Sequence, residues 1–277
     1  MSPPFGPEAP LPPGELPRLV ATRYVTALRE GGSVPAVVEA DDGALWVVKF
    51  RGAAQGARAL AAEVIAGELA RSAALPVPRI GLIEVDPALG RSEPHQEIRE
   101  LLMASAGLNL AMAFLPGALG YDVAAGHPIT AAFASAVVAF DVFVANVDRT
   151  ARNPNLLWWE GGPWLIDHGA SLYWHHGYDG RLDEGELVAS ARRPFARVTE
   201  HVLLPFADGL AAAGAALEAA LDDAAIAHAV DSVPAAWIAG TAGEAGLGAA
   251  YPIWLRARRA ALPQLIEEAI SARASRI

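Results

Sequence analysis

The 277-residue chain has no cysteine, which excludes disulfides and any zinc site built on thiolates. Positive charge is scarce: 21 Lys+Arg stand against 31 Asp+Glu, for a formal net charge of −10. Surfaces that hold nucleic acid or anionic lipid need a basic excess to neutralise phosphates, so neither is an expected partner. No basic segment leads into an apolar run at the start, so the expected location is the cytoplasm. The sequence also lacks a Walker A loop, a Gly-x-Ser-x-Gly elbow and an H-E-x-x-H pair, which disfavours P-loop, serine-hydrolase and zincin chemistry. Lysine is scarcest of all, with Lys49 alone beside 20 arginines.

What is present is core. At 53% hydrophobic and 19% charged residues, the chain has the apolar content of a globular protein rather than a disordered one. The 21 uncharged residues between Glu100 and Asp122 approach the length of a membrane helix. Gly107, Asn109, Pro116, Gly117 and Gly120 interrupt them, however, so a buried strand and turn is expected and no membrane insertion.

Residues 1–17 carry seven prolines and read as an extended or disordered leader. Strand-like runs at Pro35–Glu39 and Leu45–Phe50 flank a hairpin signal, Asp41-Asp42-Gly43. Residues 57–73 have helical spacing and must stop before Pro76 and Pro78. Ile80–Val85 reads as a strand, and residues 101–115 as one or two more. Thr130–Val147 reads as a buried helix. Leu156–Trp159 and Trp164–Ile166 read as short strands about the turn Glu160–Pro163. From about Glu184 the chain is alanine-rich helix, broken at prolines. The fold class is therefore α+β, with strands first and helices after.

Four clusters of residues carry chemistry. Gly31, Gly32 and Ser33 precede the hairpin, where backbone N–H groups free of side chains can approach phosphate oxygens. Lys49 ends an apolar run, where an isolated charge is costly, and its slim stem suits a narrow phosphate contact. A lysine so placed wants a carboxylate; Glu63 and Glu68 on the following helix are the candidates, with Glu63 preferred. In Val147-Asp148-Arg149-Thr150-Ala151-Arg152-Asn153-Pro154-Asn155, an Asp closes a buried helix, a basic loop follows, and an Asn meets the next strand. An Asp can orient an attacking hydroxyl, Arg149 or Arg152 can offset charge, and an Asn can hold a metal ion. Across the next hairpin, Trp164-Leu165-Ile166-Asp167-His168-Gly169 ends a strand on an Asp able to face Mg²⁺.

This order of glycine-rich loop, strand lysine, helix glutamate, Asp-to-Asn loop and strand-end Asp resembles the protein-kinase-like superfamily. Within it, Asn146-Val147-Asp148-Arg149 and Leu75-Pro76-Val77-Pro78 resemble the HipA-like kinases, over roughly residues 20–180. The resemblance implies a two-lobed fold, with an N-lobe over residues 18–116 and a helical C-lobe over 117–277. It also implies an ATP- and Mg²⁺-dependent phosphotransferase acting on a hydroxyl-bearing acceptor, with a protein Ser or Thr among the candidates. Lys49 would contact the ATP phosphates and Glu63 would anchor it. Asp148 would be the catalytic base and Asp167 the main metal ligand. Met112, Ala113, Phe114 and Leu115 would form the hinge that cradles adenine. The usual spacing selects Asn153 as second metal ligand, whereas the strand context selects Asn155. Thr150 stands where the family often has His, and the chain reads as a compact form without the N-terminal extension of full-length toxin kinases. Two other readings use the same residues. One is a catalytically inactive kinase-like binding module. The other is a metal-dependent hydrolase using Asp148, Asp167, His168, His175 and His176, although adjacent His175 and His176 should point apart.

Overall fold

The structure, a computed structural model, describes residues 16–28, 35–53, 56–91, 94–180, 183–238 and 246–275. Most of the leader and the Gly31-Gly32-Ser33 loop lie outside the described residues. Five strands close into a barrel in the order β1-β2-β3-β5-β4: β1 (Arg18–Ala27), β2 (Ala36–Ala40), β3 (Leu45–Lys49), β4 (Ile80–Val85) and β5 (Gly107–Ala113). The β1–β4 seam is parallel and every other pairing antiparallel. β1 is absent from the sequence reading. Its alternation buries only Leu19 and Ala21, too weak a pattern to stand out beside a proline-rich segment.

Period two along β3 sends Trp46 and Val48 into the barrel with Val38, Ile83 and Ala111. Lys49 therefore faces outward. There lies helix α1 (Gly56–Ser72), with twelve buried residues, Ala59 through Ala70. Both its sides are covered, which removes the polar stripe of a surface helix. One side packs on the barrel so closely that a Cβ on Gly67 would lie 2.2 Å from Ile80 Cδ1. The other meets α6 (Asp223–Asp231) and α7 (Ala235–Ile238). After α1, Leu75-Pro76-Val77-Pro78 leads into β4, and the Leu165 N–H donates to Pro76 O at 2.8 Å.

The expected strands over 101–115 are half corrected. Gln96–Ala104 form helix α2, and strand begins only at Gly107. α2 buries Leu102 alone, so the apolar run Leu101-Leu102-Met103 reflects a helix lying on the surface. The remainder of the uncharged run is β5, a turn and β6 (Leu119–Gly120). Among the described residues, no helix is long and apolar enough to cross a membrane.

A second sheet has the order β6-β7-β8, with β7 at Leu156–Trp159 and β8 at Gly162–Leu165. The turn between β7 and β8 is two residues, Glu160 and Gly161, not four, because Gly162 and Pro163 already pair with Trp159 and Trp158. Pro163 is tolerated because β8 is an edge strand. Helix α3 (Ala131–Val144) lies between β6 and β7 in the chain. Thr130 caps it by accepting the Phe133 N–H at 3.1 Å, and Ala145 ends it in the left-handed conformation (φ 53°). Helices α4 (Glu184–Ala191), α5 (Leu210–Ala220), α6, α7 and α8 (Leu247–Ala274) complete the chain. Pro252 and Pro263 do not break α8 as expected; packing against α3, α4, α5 and α6 outweighs their lost hydrogen bonds.

Candidate active site

The outward face of β3 and the inner face of α1 meet at Lys49. Its Nζ donates to Glu63 Oε1, and to Asp167 Oδ1 at 2.8 Å. Two carboxylates distant in sequence thus converge on one ammonium. Asp167 follows β8 in the left-handed conformation (φ 56°), an unfavourable state for Asp that its surroundings must hold in place. Gly169 then donates its N–H to Glu63 Oε1 at 2.8 Å, and a Cβ there would approach that oxygen to 3.1 Å. A side chain at 169 would crowd the Glu63 carboxylate, although the backbone there, whose φ is not positive, does not itself call for glycine. Glu68, the other candidate partner, lies elsewhere, bonded to Arg71 at 3.3 Å and His228 at 3.2 Å.

Charge follows from this packing. Burial alone would lower the Lys49 pKa, but Glu63 and Asp167 outweigh it and hold the ammonium protonated. The Lys49 charge holds Asp167 down at about 2. Burial pushes Glu63 up to about 7 against the pull of Lys49. A small solvent-open cleft adjoins the three, lined also by Phe50, Ala53 and Gly56.

The Asp148 loop lies one hairpin away. Asp148 Oδ2 accepts from Asn153 Nδ2 at 2.7 Å and from Asn155 Nδ2 at 3.3 Å. Both asparagines therefore sit on the same carboxylate; Asn153 is exposed and Asn155 buried. Asn155 joins the two clusters through its backbone: its carbonyl accepts the Ile166 N–H at 3.1 Å, one residue before Asp167. Met112 and Ala113 end β5, and the Phe114 N–H donates to Leu45 O at 3.1 Å. Leu115 is buried where the chain leaves the barrel.

Arg149 is a correction. It was expected to offset charge at the site, but its side chain is fully buried. Its Nε donates to Asp141 Oδ2 at 2.5 Å, and its Nη1 donates to Asn155 O. Asp141 also receives His201 Nε2 at 2.9 Å and Asn146 Nδ2 at 3.2 Å. Beside Asp148, Arg149 thus supports the loop from beneath, and Arg152 alone remains an exposed loop cation. The arginine charge, against burial, holds the Asp141 carboxyl well below the usual range. The missed signal was available: one Asp in the apolar helix AAFASAVVAFDVFV needs a buried cationic partner.

His168 turns inward, edge-on to Phe140 and with Nδ1 4.0 Å from Glu63 Oε2; burial lowers its pKa to about 3, so it is neutral. His175 and His176 do not point apart. They occupy a single 3₁₀ turn, Tyr173–Gly177, that brings their Nε2 atoms to 3.3 Å. Among the described residues, no group of three or more His, Asp or Glu side chains is placed to hold a metal ion, so the ligand set expected of a metal hydrolase does not assemble. A hard divalent ion held by one carboxylate, an Asn oxygen, substrate phosphates and water needs no such cage. Partly exposed Asp167 and the Asn153–Asn155 pair suit that mode.

Residues 22–184 match the HipA-like kinase family. Among solved structures, a Helicobacter pylori proinflammatory kinase, CtkA, is similar in fold, with a TM-score of 0.52 at 12% sequence identity over 91% of this chain and 98% of that one. No curated protein matches.

Proposed function

The chain belongs to the HipA-like kinase family, and from that premise we propose that it transfers the γ-phosphate of ATP to a hydroxyl acceptor, with residues 18–116 and 117–277 acting as two lobes about the cleft. The observation that carries this reading is the single lysine, ion-paired at once with a helix carboxylate and a strand-end carboxylate. A lysine held that way is preorganised toward phosphate oxygens, with little rotamer freedom left to lose on binding. Met112, Ala113, Phe114 and Leu115 would form the edge against the adenine ring, the Ala113 and Phe114 N–H groups being taken by Arg79 O and Leu45 O, and Gly31, Gly32 and Ser33 would serve the phosphates.

Asp148 orients the acceptor hydroxyl and takes its proton as the oxygen attacks the γ-phosphorus and the bond to the departing ADP breaks. The amides of Asn153 and Asn155 keep the Asp148 carboxylate directed. Arg152 adds positive charge at the loop. Asp167, with Asn155 or Asn153, would hold a Mg²⁺ ion, which supplies neutralisation of phosphate charge.

Calorimetric titration of Mg-ATP into the protein and into Asp167→Ala tests the reading. Micromolar, magnesium-dependent binding that disappears in the variant is the expected result. Absence of binding to either protein overturns the kinase reading, and phosphate transfer retained by Asp167→Ala overturns the role given to Asp167.

A further inference from the structure

Beyond Gly169 the chain enters the 3₁₀ turn Tyr173–Gly177 through Leu172, buried and left-handed at φ 55°. The His175 carbonyl closes the turn by accepting the Tyr178 N–H at 3.2 Å, and its second lone pair is open to a further donor. The donor is Arg58, in the first turn of α1. Its Nη1 reaches His175 O at 2.6 Å and His176 O at 3.2 Å, and its Nη2 reaches Tyr178 O at 3.2 Å. A planar fork with several N–H groups can serve three carbonyls at once; a lysine ammonium on a flexible stem matches that geometry poorly. The turn is itself anchored on its far side, where His175 Nδ1 lies 2.9 Å from Tyr251 Oη of α8. Helix α1 is therefore fastened to the segment after Asp167 at two levels: Arg58 to the turn, and Glu63 to the Gly169 N–H.

We infer that Arg58 is a positioning residue, holding α1 against the 175–178 backbone so that Glu63 meets Lys49. It does not line the cleft beside Lys49; it acts through Glu63. Pairing at Lys49 thus depends on the conformation of the segment that follows Asp167, and anything that rearranges residues 173–178 is felt at the ammonium. Its consequence for turnover rests on the phosphotransfer reading, whereas its consequence for Lys49 does not.

Because Lys49 is the only lysine, acylation of its amine by an activated ester, followed by peptide mass spectrometry, reports on this one ion pair. Protein, Arg58→Gln, Glu63→Gln and the double variant are compared, with melting curves to confirm folding. Loosening the pair frees neutral amine, so Lys49 acylation in Arg58→Gln should rise several-fold. In the same variant, Mg-ATP turnover should fall about tenfold, as expected for losing hydrogen bonds from a charged group. In the Glu63→Gln background, Arg58→Gln should add nothing further, a non-additivity that general destabilisation would not produce. Unchanged Lys49 acylation in folded Arg58→Gln, or full additivity in the double variant, overturns the inference. If Arg58→Gln does not fold, Arg58→Lys is read the same way, its new lysine being separated by peptide mass. Failure of the parent protein to turn over Mg-ATP would defeat the phosphotransfer reading while leaving the acylation comparison to decide the role of Arg58.

Discussion

Individual residues here are legible in sequence wherever isolation marks them. Lys49, alone of its type at the end of an apolar strand, announces a partner, and the structure supplies Glu63 and Asp167. Arg149 was misread because its neighbours in sequence are loop residues, whereas its partner is Asp141, a full helix end away. Arg58 carried no signal, since its acceptors are main-chain carbonyls that have no sequence signature. The buried histidines give a testable pH dependence. Burial lowers His175 to about 3, so between pH 6.5 and 3 the unfolded chain takes up a proton that the folded chain refuses. The His175 contribution to stability is therefore complete above pH 6.5 and declines as the pH falls. His168 acts in the same sense, Glu63 in the opposite one through its raised carboxyl, and His176 lies beside His175. Comparison with His175→Phe cancels the other groups. Between pH 7.5 and pH 5, the parent should lose about 2 kcal/mol more than the variant in urea unfolding. Equal losses would show that His175 titrates normally in the folded protein.

Elements were legible where one local rule dominated. The β2–β3 hairpin follows its Asp-Asp-Gly turn, with Gly43 at φ 76° and Asp42 Oδ1 accepting the Ala44 N–H at 2.9 Å. Helix α1 ends at Ser72, ahead of Pro76, and β4 and β7 fall where their apolar runs do. β1 was not legible, because it buries too few residues for its alternation to show, whereas α2 carries a helical spacing, Ile98, Leu101 and Leu102, that the apolar run Leu101-Leu102-Met103 masked. The β7–β8 hairpin offers a prediction of its own. Both turn residues are left-handed, Glu160 at φ 49° and Gly161 at φ 81°, the geometry for which Asn-Gly is preferred. A Glu at the first position carries the steric cost of that conformation, which Asn tolerates better. Glu160 is exposed, so Glu160→Asn should change little else and stabilise the protein by about 0.5–1 kcal/mol. An unchanged or lowered denaturation midpoint would mean that the Glu side chain has a role the turn geometry does not reveal.

At the scale of the whole molecule, the strand-to-helix order was plain in sequence, but not that α1 is shared. The barrel encloses its own core around Trp46, Val48 and Ile83. A second, larger core takes in Val64, Ile65 and Leu69 of α1, Ile80, Leu82 and Leu110 from the outer face of the barrel, and the C-terminal helices. Helix α1 thus belongs to neither part alone. If the barrel opened first, α1 would keep its contacts with α6 and α7 but expose the side that covers β4. If the helices opened first, the barrel would keep α1 only with its opposite apolar side in water. Each route uncovers several fully buried side chains, at about 1.5–3 kcal/mol apiece, before any entropy is gained from the part that stays folded. That penalty favours one transition even in a chain long enough for intermediates to be common. Hydrogen exchange in rising urea should therefore show the slowest amides of β3, β5 and α8 converging on one opening free energy with one urea slope. Separate slopes for barrel and helices would show that α1 detaches from one side at low cost, and that the Lys49–Glu63 pair it carries is broken well before the protein unfolds.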